Sequence, residues 1–305
     1  MLETSLRVFD APTFYHAEFL EAAGTRFAAD AHYMGQNRYE LGRISYILND
    51  TVDKPDTVTV RIFNDNSEQV RTLYWTPGEF GFNRDYWFGD RKGVRSLRRP
   101  KPTKPNEPGT SQVLPGDYVL VVGYDDWTDS ARITVEADPR LSYSMEDYTV
   151  HAEVVDEYLD LFGVLVELND RMTDVEKLIG HFEDEISANK DTALSDELDS
   201  LKTSLNSAKD SLNFMQQWVQ YEDDREESVD PPEDLEDIMY DAWGLIETTQ
   251  GRPDAAAYKA IRRAENHVGK TRDDFNDWLN AEWKPVFEWA SGVNFKPVEA
   301  VEPVK

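Results

Sequence analysis

The sequence predicts an α+β chain of two parts, an antiparallel immunoglobulin-like β-sandwich over residues 43–138 followed by a long-helix antiparallel bundle over residues 139–290. Three observations predict it. Between Gly42 and Asp138, apolar residues recur at every second position in short runs separated by turn residues. Beyond Asp138-Pro139-Arg140 the spacing changes to alternating threes and fours, held for about five heptads. Charge changes at the same boundary: the formal net charge is −5 before Pro139 and −23 from it onward, out of −28 for the 305-residue chain.

Residues 1–42 mix aromatics, Ala and Gly without sustained period and read as an irregular lead-in packing on the sandwich, with a short helix over residues 17–23. Ile44, Tyr46 and Leu48 then alternate with their neighbours to make a strand. A turn over residues 53–56 leads to Val58-Thr-Val-Arg-Ile62, apolar at every second position. Asp65-Asn66-Ser67 makes a hairpin turn into Gln69-Val-Arg-Thr-Leu73. Another strand lies near Asn83–Trp87. Pro115-Gly116 turns the chain into residues 117–123, and residues 130–136 close the set. Short strands with turn signals every 8–12 residues are the pattern of a β-sandwich.

The first helix follows from Val150, Val154, Tyr158, Leu161, Leu165, Leu168, Met172, Val175, Ile179, Phe182 and Ile186. A second runs from Leu194 to Val219, with Thr192 or Ser195 as its cap, and the acidic, proline-containing stretch 221–234 ends it. Leu235, Ile238, Ala242 and Leu245 mark a third. After the stop at Gly251-Arg-Pro253-Asp254, residues Ala257 to Leu279 line a fourth. Connections this short let the helices fold back on one another. The tail, residues 291–305, is rich in Pro and Val and reads as flexible.

Composition excludes several classes. Sixty acidic residues against 32 basic ones repel polyanions, so nucleic acid is not expected as a partner. The absence of cysteine removes disulfides, thiolate nucleophiles and Cys-ligated zinc. No apolar run approaches the ~20 residues of a membrane span, and the opening Met1-Leu-Glu-Thr-Ser5 lacks the basic-then-apolar profile of a secretion signal. Only 13 lysines stand among 33 Asp and 27 Glu. That balance suits a protein kept soluble in molar salt, where the screening length is ~3 Å, so a halophilic source and a cytoplasmic location are expected.

A set of turn-and-strand pieces occurs in a definite order: Gly35-Gln-Asn37; Leu41-Gly42-Arg-Ile44-Ser45-Tyr46-Ile-Leu48; Val58-Thr-Val-Arg-Ile62 with Asp65; Val70-Arg71-Thr-Leu73; Gly81-Phe-Asn83-Arg-Asp-Tyr-Trp87; Leu114-Pro-Gly-Asp-Tyr118; Asp138-Pro139-Arg140. Over roughly Leu6 to Trp289 this order resembles the C-terminal part of sortilin-like, BNR-repeat glycosyl hydrolase proteins. There a β-propeller is followed by a FlgD-type immunoglobulin-like module and a helical bundle. Two departures matter. Trp87 is followed by Phe88-Gly89-Asp90 where the family usually has Trp-Asp. The propeller is missing, since no Ser-x-Asp-x-Gly-x-x-Trp box occurs. The resemblance implies a glycosyl-hydrolase label, but sugar chemistry that belongs to the propeller is not expected of this chain.

Two clusters are candidate binding sites. Arg91, Lys92, Arg95, Arg98, Arg99, Lys101 and Lys104 put seven bases within fourteen residues, followed by a proline-rich run, and read as an extended, mobile loop. Arg95, Arg98 and Arg99 would contact an anionic partner or dock on the acidic helical half of the same chain; without a Gly-rich cradle they do not read as a phosphate site. Asp125, Asp126 and Asp129 around Trp127 form a loop suited to a cation or to stacking a sugar on the indole, or simply a solvated hairpin tip. The five histidines are scattered and make no metal-binding pair. Trp218, Trp243, Trp278, Trp283 and Trp289 read as bundle core and end-cap aromatics. No catalytic residue, metal or cofactor is expected.

The expected role is a non-catalytic interaction or scaffolding module. Its partner would be a protein, either a separately encoded β-propeller or a second copy met through the helices. The alternatives are a glycoside hydrolase or carbohydrate-binding protein with a glycan partner, and a cell-surface or virion component.

Overall fold

A computed structural model describes residues 5–17, 42–49, 57–102, 107–189, 195–220, 234–293, 295–296 and 298–304. Residues 18–23 of the helix expected over 17–23, the Gly35–Asn37 piece, the 53–56 turn, Lys104, Thr192, Leu194 and the acidic stretch 221–233 lie outside them. The chain divides into two compact units, residues 1–94 with 101–152, and residues 95–100 with 153–305. It is mixed in class, with sheets in its N-terminal part and helices in its C-terminal part.

The first unit contains β1 (Leu6–Val8), β2 (Phe14–His16), β3 (Gly42–Leu48), β4 (Val58–Phe63), β5 (Gln69–Trp75), β6 (Gly81–Trp87), β7 (Asp90–Lys92), β8 (Gly109–Gln112), β9 (Gly116–Tyr124) and β10 (Trp127–Ala137). Three strands form a sheet in the order β1-β3-β6, five form a second in the order β2-β10-β9-β4-β5, and β7 pairs with β8. Alternation drives this arrangement. Every second residue of β3, namely Gly42, Ile44, Tyr46 and Leu48, is buried, as are Val58, Val60 and Ile62 of β4 and Tyr118, Leu120, Val122 and Tyr124 of β9. These faces meet in one hydrophobic core with Phe14, Trp87 and Ile133. Trp87 lies edge-on to Phe14 and Tyr118 and donates its indole N–H to Asp90 O at 2.8 Å.

Two expectations for this half change, and one holds. β2 runs parallel to β10, so the larger sheet is mixed rather than antiparallel. Residues 5–17 are not irregular, because Leu6-Arg-Val8 and Phe14-Tyr-His16 each bury two residues around an exposed one; three residues are too few to show a period in the sequence. The β4–β5 turn is built as expected, with Asn64 Oδ1 accepting from Asn66 N (3.0 Å) and Glu68 N (2.9 Å) and Ser67 left-handed at φ 62°.

The helices are α1 (Met145–Ala188), α2 (Ser195–Val219), α3 (Leu235–Ile246), α4 (Ala255–Trp278) and α5 (Lys284–Gly292), with a π-helical turn at Leu279–Trp283 between the last two. Ser144 and Asp147 open α1 by exchanging bonds, Ser144 N to Asp147 Oδ2 (3.0 Å) and Asp147 N to Ser144 Oγ (3.2 Å). Asp234 caps α3, and Asp254 caps α4 by accepting from Ala256 N and Ala257 N. The fourth helix does not stop at Leu279. Pro285 lacks an N–H, and its ring needs room at the carbonyl of Ala281; the wider π turn provides that room and lets the helix run on into α5.

In the second unit Tyr158 packs on Trp243, and Phe182 meets Phe287 and Phe295. Trp278 and Trp283 are buried as expected, whereas Trp218 is 52% exposed beside Phe214. The tail is not free over its length. Val304 is buried, its N–H donates to Asn276 Oδ1 (2.9 Å), and its carbonyl accepts from Asn276 Nδ2 (2.8 Å). The side-chain amide acts there as a strand partner, which composition does not reveal.

Candidate functional site

The basic cluster is not a mobile loop where it is described. Residues 95–100 belong to the helical unit. A turn brings Arg99 N to Ser96 O (3.1 Å), Arg95 Nη1 donates to Arg99 O, and Leu97 is buried at 4% exposure. Arg95 Nη2 reaches both carboxylate oxygens of Asp170 at 2.6 Å. Arg98 forks onto Glu236, with Nη2 to Oε2 at 3.0 Å and Nε to Oε2 at 3.2 Å. This bond and its charge raise the Arg98 pKa. Arg95 and Arg98 are therefore engaged within the chain, while Arg99 contributes its backbone to the turn. The signal missed in the sequence is Leu97, a lone apolar residue amid bases, whose burial holds the turn.

Asp125 and Asp126 form the two-residue tip between β9 and β10, where Trp127 pairs with Tyr124 and Asp125 takes φ 54°. Trp127 is 43% exposed. Asp129 turns to β1 instead, accepting from Val8 N at 2.8 Å and Ser130 N at 2.9 Å and meeting Arg7 Nε at 3.9 Å. The four residues do not converge on one point, and among the described residues no group of His, Asp or Glu is placed to hold a metal.

Arg71 and His16 are buried ionisable side chains of the β unit. The Arg71 guanidinium meets Asp90 Oδ2 (3.1 Å) and donates to Glu107 O (2.9 Å) and Pro108 O (2.7 Å), fastening the β7–β8 hairpin to β5. Burial raises the Asp90 pKa while Arg71 draws it down. His16 is 3% exposed, and burial lowers its pKa to about 4.

The helical unit carries a groove of about 860 Å³ between α1 and α4, lined by Glu157, Asp160, Glu265, Asp273 and Asp274 among others. Its bases pair with its own acids, Lys270 with Asp274 at 2.7 Å and Arg272 with Asp273 at 2.8 Å.

The surface with the most distinct chemistry is the outward face of β1-β3-β6. Direct pairing sets Arg7 opposite Ile47, Ile47 opposite Phe82, Ser45 opposite Arg84 and Arg43 opposite Tyr86, so these seven residues share one face. Three are arginines, and none is acidic, in a chain of net charge −28. Phe82 is 59% exposed, Tyr86 39%, and the flanking Phe9 and Phe88 are exposed too. Arg84 lies over the Phe82 ring at 5.6 Å and donates from Nε to Ser45 Oγ at 3.4 Å. Beneath this face the Tyr46 hydroxyl donates to Asp85 Oδ2 at 2.6 Å, and Tyr46 stacks on Trp75. The outward row is thereby held on a rigid strand. Sequence reasoning missed it, although Phe82, Arg84, Tyr86 and Phe88 at alternate positions are a readable sign.

No protein-family model, curated protein or solved structure matches the chain. Among the described residues no helix is long and apolar enough to cross a membrane.

Proposed function

We propose that the chain is a non-catalytic interaction module, its β part an immunoglobulin-like sandwich and its helices an antiparallel bundle, and that the outward face of β1-β3-β6 receives a protein partner. The observation that carries this is the composition of that face: exposed aromatics interleaved with arginines, with no acid among its seven paired residues and Asp129 meeting only Arg7 from the side. Protein interfaces are enriched in these residue types and depleted of Lys, Asp and Glu at their centres. The finer fold reading draws support from Tyr118, whose hydroxyl donates to Leu114 O at 2.6 Å, four residues upstream, as the corner tyrosine of immunoglobulin-type domains does. A halophilic source and kinship with the C-terminal part of BNR-repeat glycosyl hydrolases belong to the same proposal, which also keeps a separately encoded β-propeller as a partner.

The rival reading, a glycan-processing or glycan-binding protein, draws on the acid-lined groove between α1 and α4 and on the exposed Trp127. One pair of experiments separates the two. Peptides displayed on phage are selected against the intact protein and against Phe82→Ser/Arg84→Glu, and both proteins are applied to a glycan array and to model glycosides. Selection of peptides by the parent alone supports the interaction module. Turnover of a glycoside, abolished by substituting an acid of the groove, overturns it.

A further inference from the structure

Sheet edges are normally blunted by brevity, charged side chains, Pro, a bulge, an inward-pointing charge or a covering element. Among the described residues, β1 and β2 are edges of three residues each, and β5 is interrupted by the register shift at Ile62/Phe63 and touched by β7. β6 carries only the charges, Arg84 on its outward row and Asp85, bonded to the Tyr46 hydroxyl, on its inward row. It runs seven residues in unbroken register with β3, contains neither Lys nor Pro, and has no second strand partner among the described residues. Every second residue of β6 therefore turns its N–H and C=O away from β3.

We propose that this edge accepts an extended segment of the partner protein as a fourth strand, and that the segment places a carboxylate beside Arg84 with β-branched or aromatic residues beside Phe82 and Tyr86. The inference rests on the reading of this face as the interaction surface and names the chemistry of its occupant. Strand addition gives affinity through the backbone, and alternate side chains give specificity. The outward row asks for one acid flanked by apolar residues, because directly opposed charges of opposite sign stabilise a strand pair and like charges destabilise it. The inward row carries Asn83 and Asp85 and asks for hydroxyl residues, since an acid there would oppose Asp85. A second copy of this chain is a poor occupant: two-fold pairing centred on β6 sets Arg84 against Arg84.

The test uses the intact protein and three labelled, capped peptides read by fluorescence anisotropy. The first is Thr-Val-Ser-Glu-Thr-Val-Thr, the second replaces its Glu by Lys, and the third exchanges the Ser and Glu so that the acid faces inward. The first is expected to bind about tenfold more tightly than either of the others, and Arg84→Glu is expected to reverse the preference between the first two. Equal binding of all three overturns the inference. If none binds while phage-selected peptides still require Phe82 and Arg84, the strand-addition inference fails and the interaction reading stands. If no selected peptide requires them, both fail. The Glu-to-Lys comparison on the unaltered protein keeps the test decisive even if Arg84→Glu misfolds.

Discussion

His16 gives the β unit a pH dependence that can be isolated. The imidazole is 3% exposed, and its Nε2 has no partner among the described residues. Burial lowers its pKa from 6.5 to about 4, so between those values the folded chain holds it neutral while the unfolded chain protonates it. The unfolded state then binds more protons, and stability falls as pH drops through that window. The contribution is complete above pH 6.5 and is lost by about pH 4, an amount of about 3 kcal/mol. Asp90 acts in the opposite sense, because a carboxyl titrating above its unfolded range takes up a proton on folding and is relieved by acid. A comparison with His16→Phe cancels that background. Urea unfolding, read by hydrogen exchange in β9 and β10 so that the signal belongs to this unit, is expected to show the parent losing about 3 kcal/mol relative to the variant between pH 7 and pH 4. A difference between the two that stays flat across the window would refute the argument.

In the helical unit, Leu97→Ala is expected to cost about 2–4 kcal/mol because the residue is buried. Arg98→Ala is expected to destabilise although that side chain is 69% exposed, because it takes the partner from the buried carboxylate of Glu236. Arg95→Ala, whose pair with Asp170 is mostly shielded, should destabilise as well, and thermal melts of the three variants check that each falls below the parent. Gly89→Ala is expected to destabilise by about 2 kcal/mol or more, since φ is +71° and a Cβ would stand 2.8 Å from the Phe14 ring. Gly78→Ala, which meets nothing within 4 Å, should stay within about 0.5 kcal/mol of the parent in the same assay. Raising KCl from low to molar concentration should raise the melting temperature of a chain carrying −28, and no gain would remove the halophilic reading.

Much of the fold was legible because long periods are redundant. The seam from Val154 to Phe182 repeats often enough for α1 to be read from spacing alone, and the alternation of β3, β4 and β9 serves in the same way. What escaped depends on contacts distant in sequence. β1 and β2 offer one alternation each, and their identity as strands comes from β3 and β10. The tail is held by one asparagine, Asn276, twenty-eight residues before Val304. At the site level, Arg95, Arg98 and Arg99 stood out because bases are rare in this chain. Their partners Asp170 and Glu236 are 75 and 138 residues away from Arg95 and Arg98, and nothing local marks these two acids among sixty. The aromatic–arginine row of β6 was visible as a pattern, yet only the pairing of β3 with β6 places Arg43 and Ile47 beside it.

The claim that this face is the working surface is tested most directly by a hydrogen-exchange footprint of the intact protein with and without a phage-selected peptide. Slowed exchange is expected over Gly81–Trp87 on β6, with the peptide's own amides protected in alternation. Protection confined to the Asp125–Trp127 tip or to the groove between α1 and α4, with β6 unchanged, would contradict it.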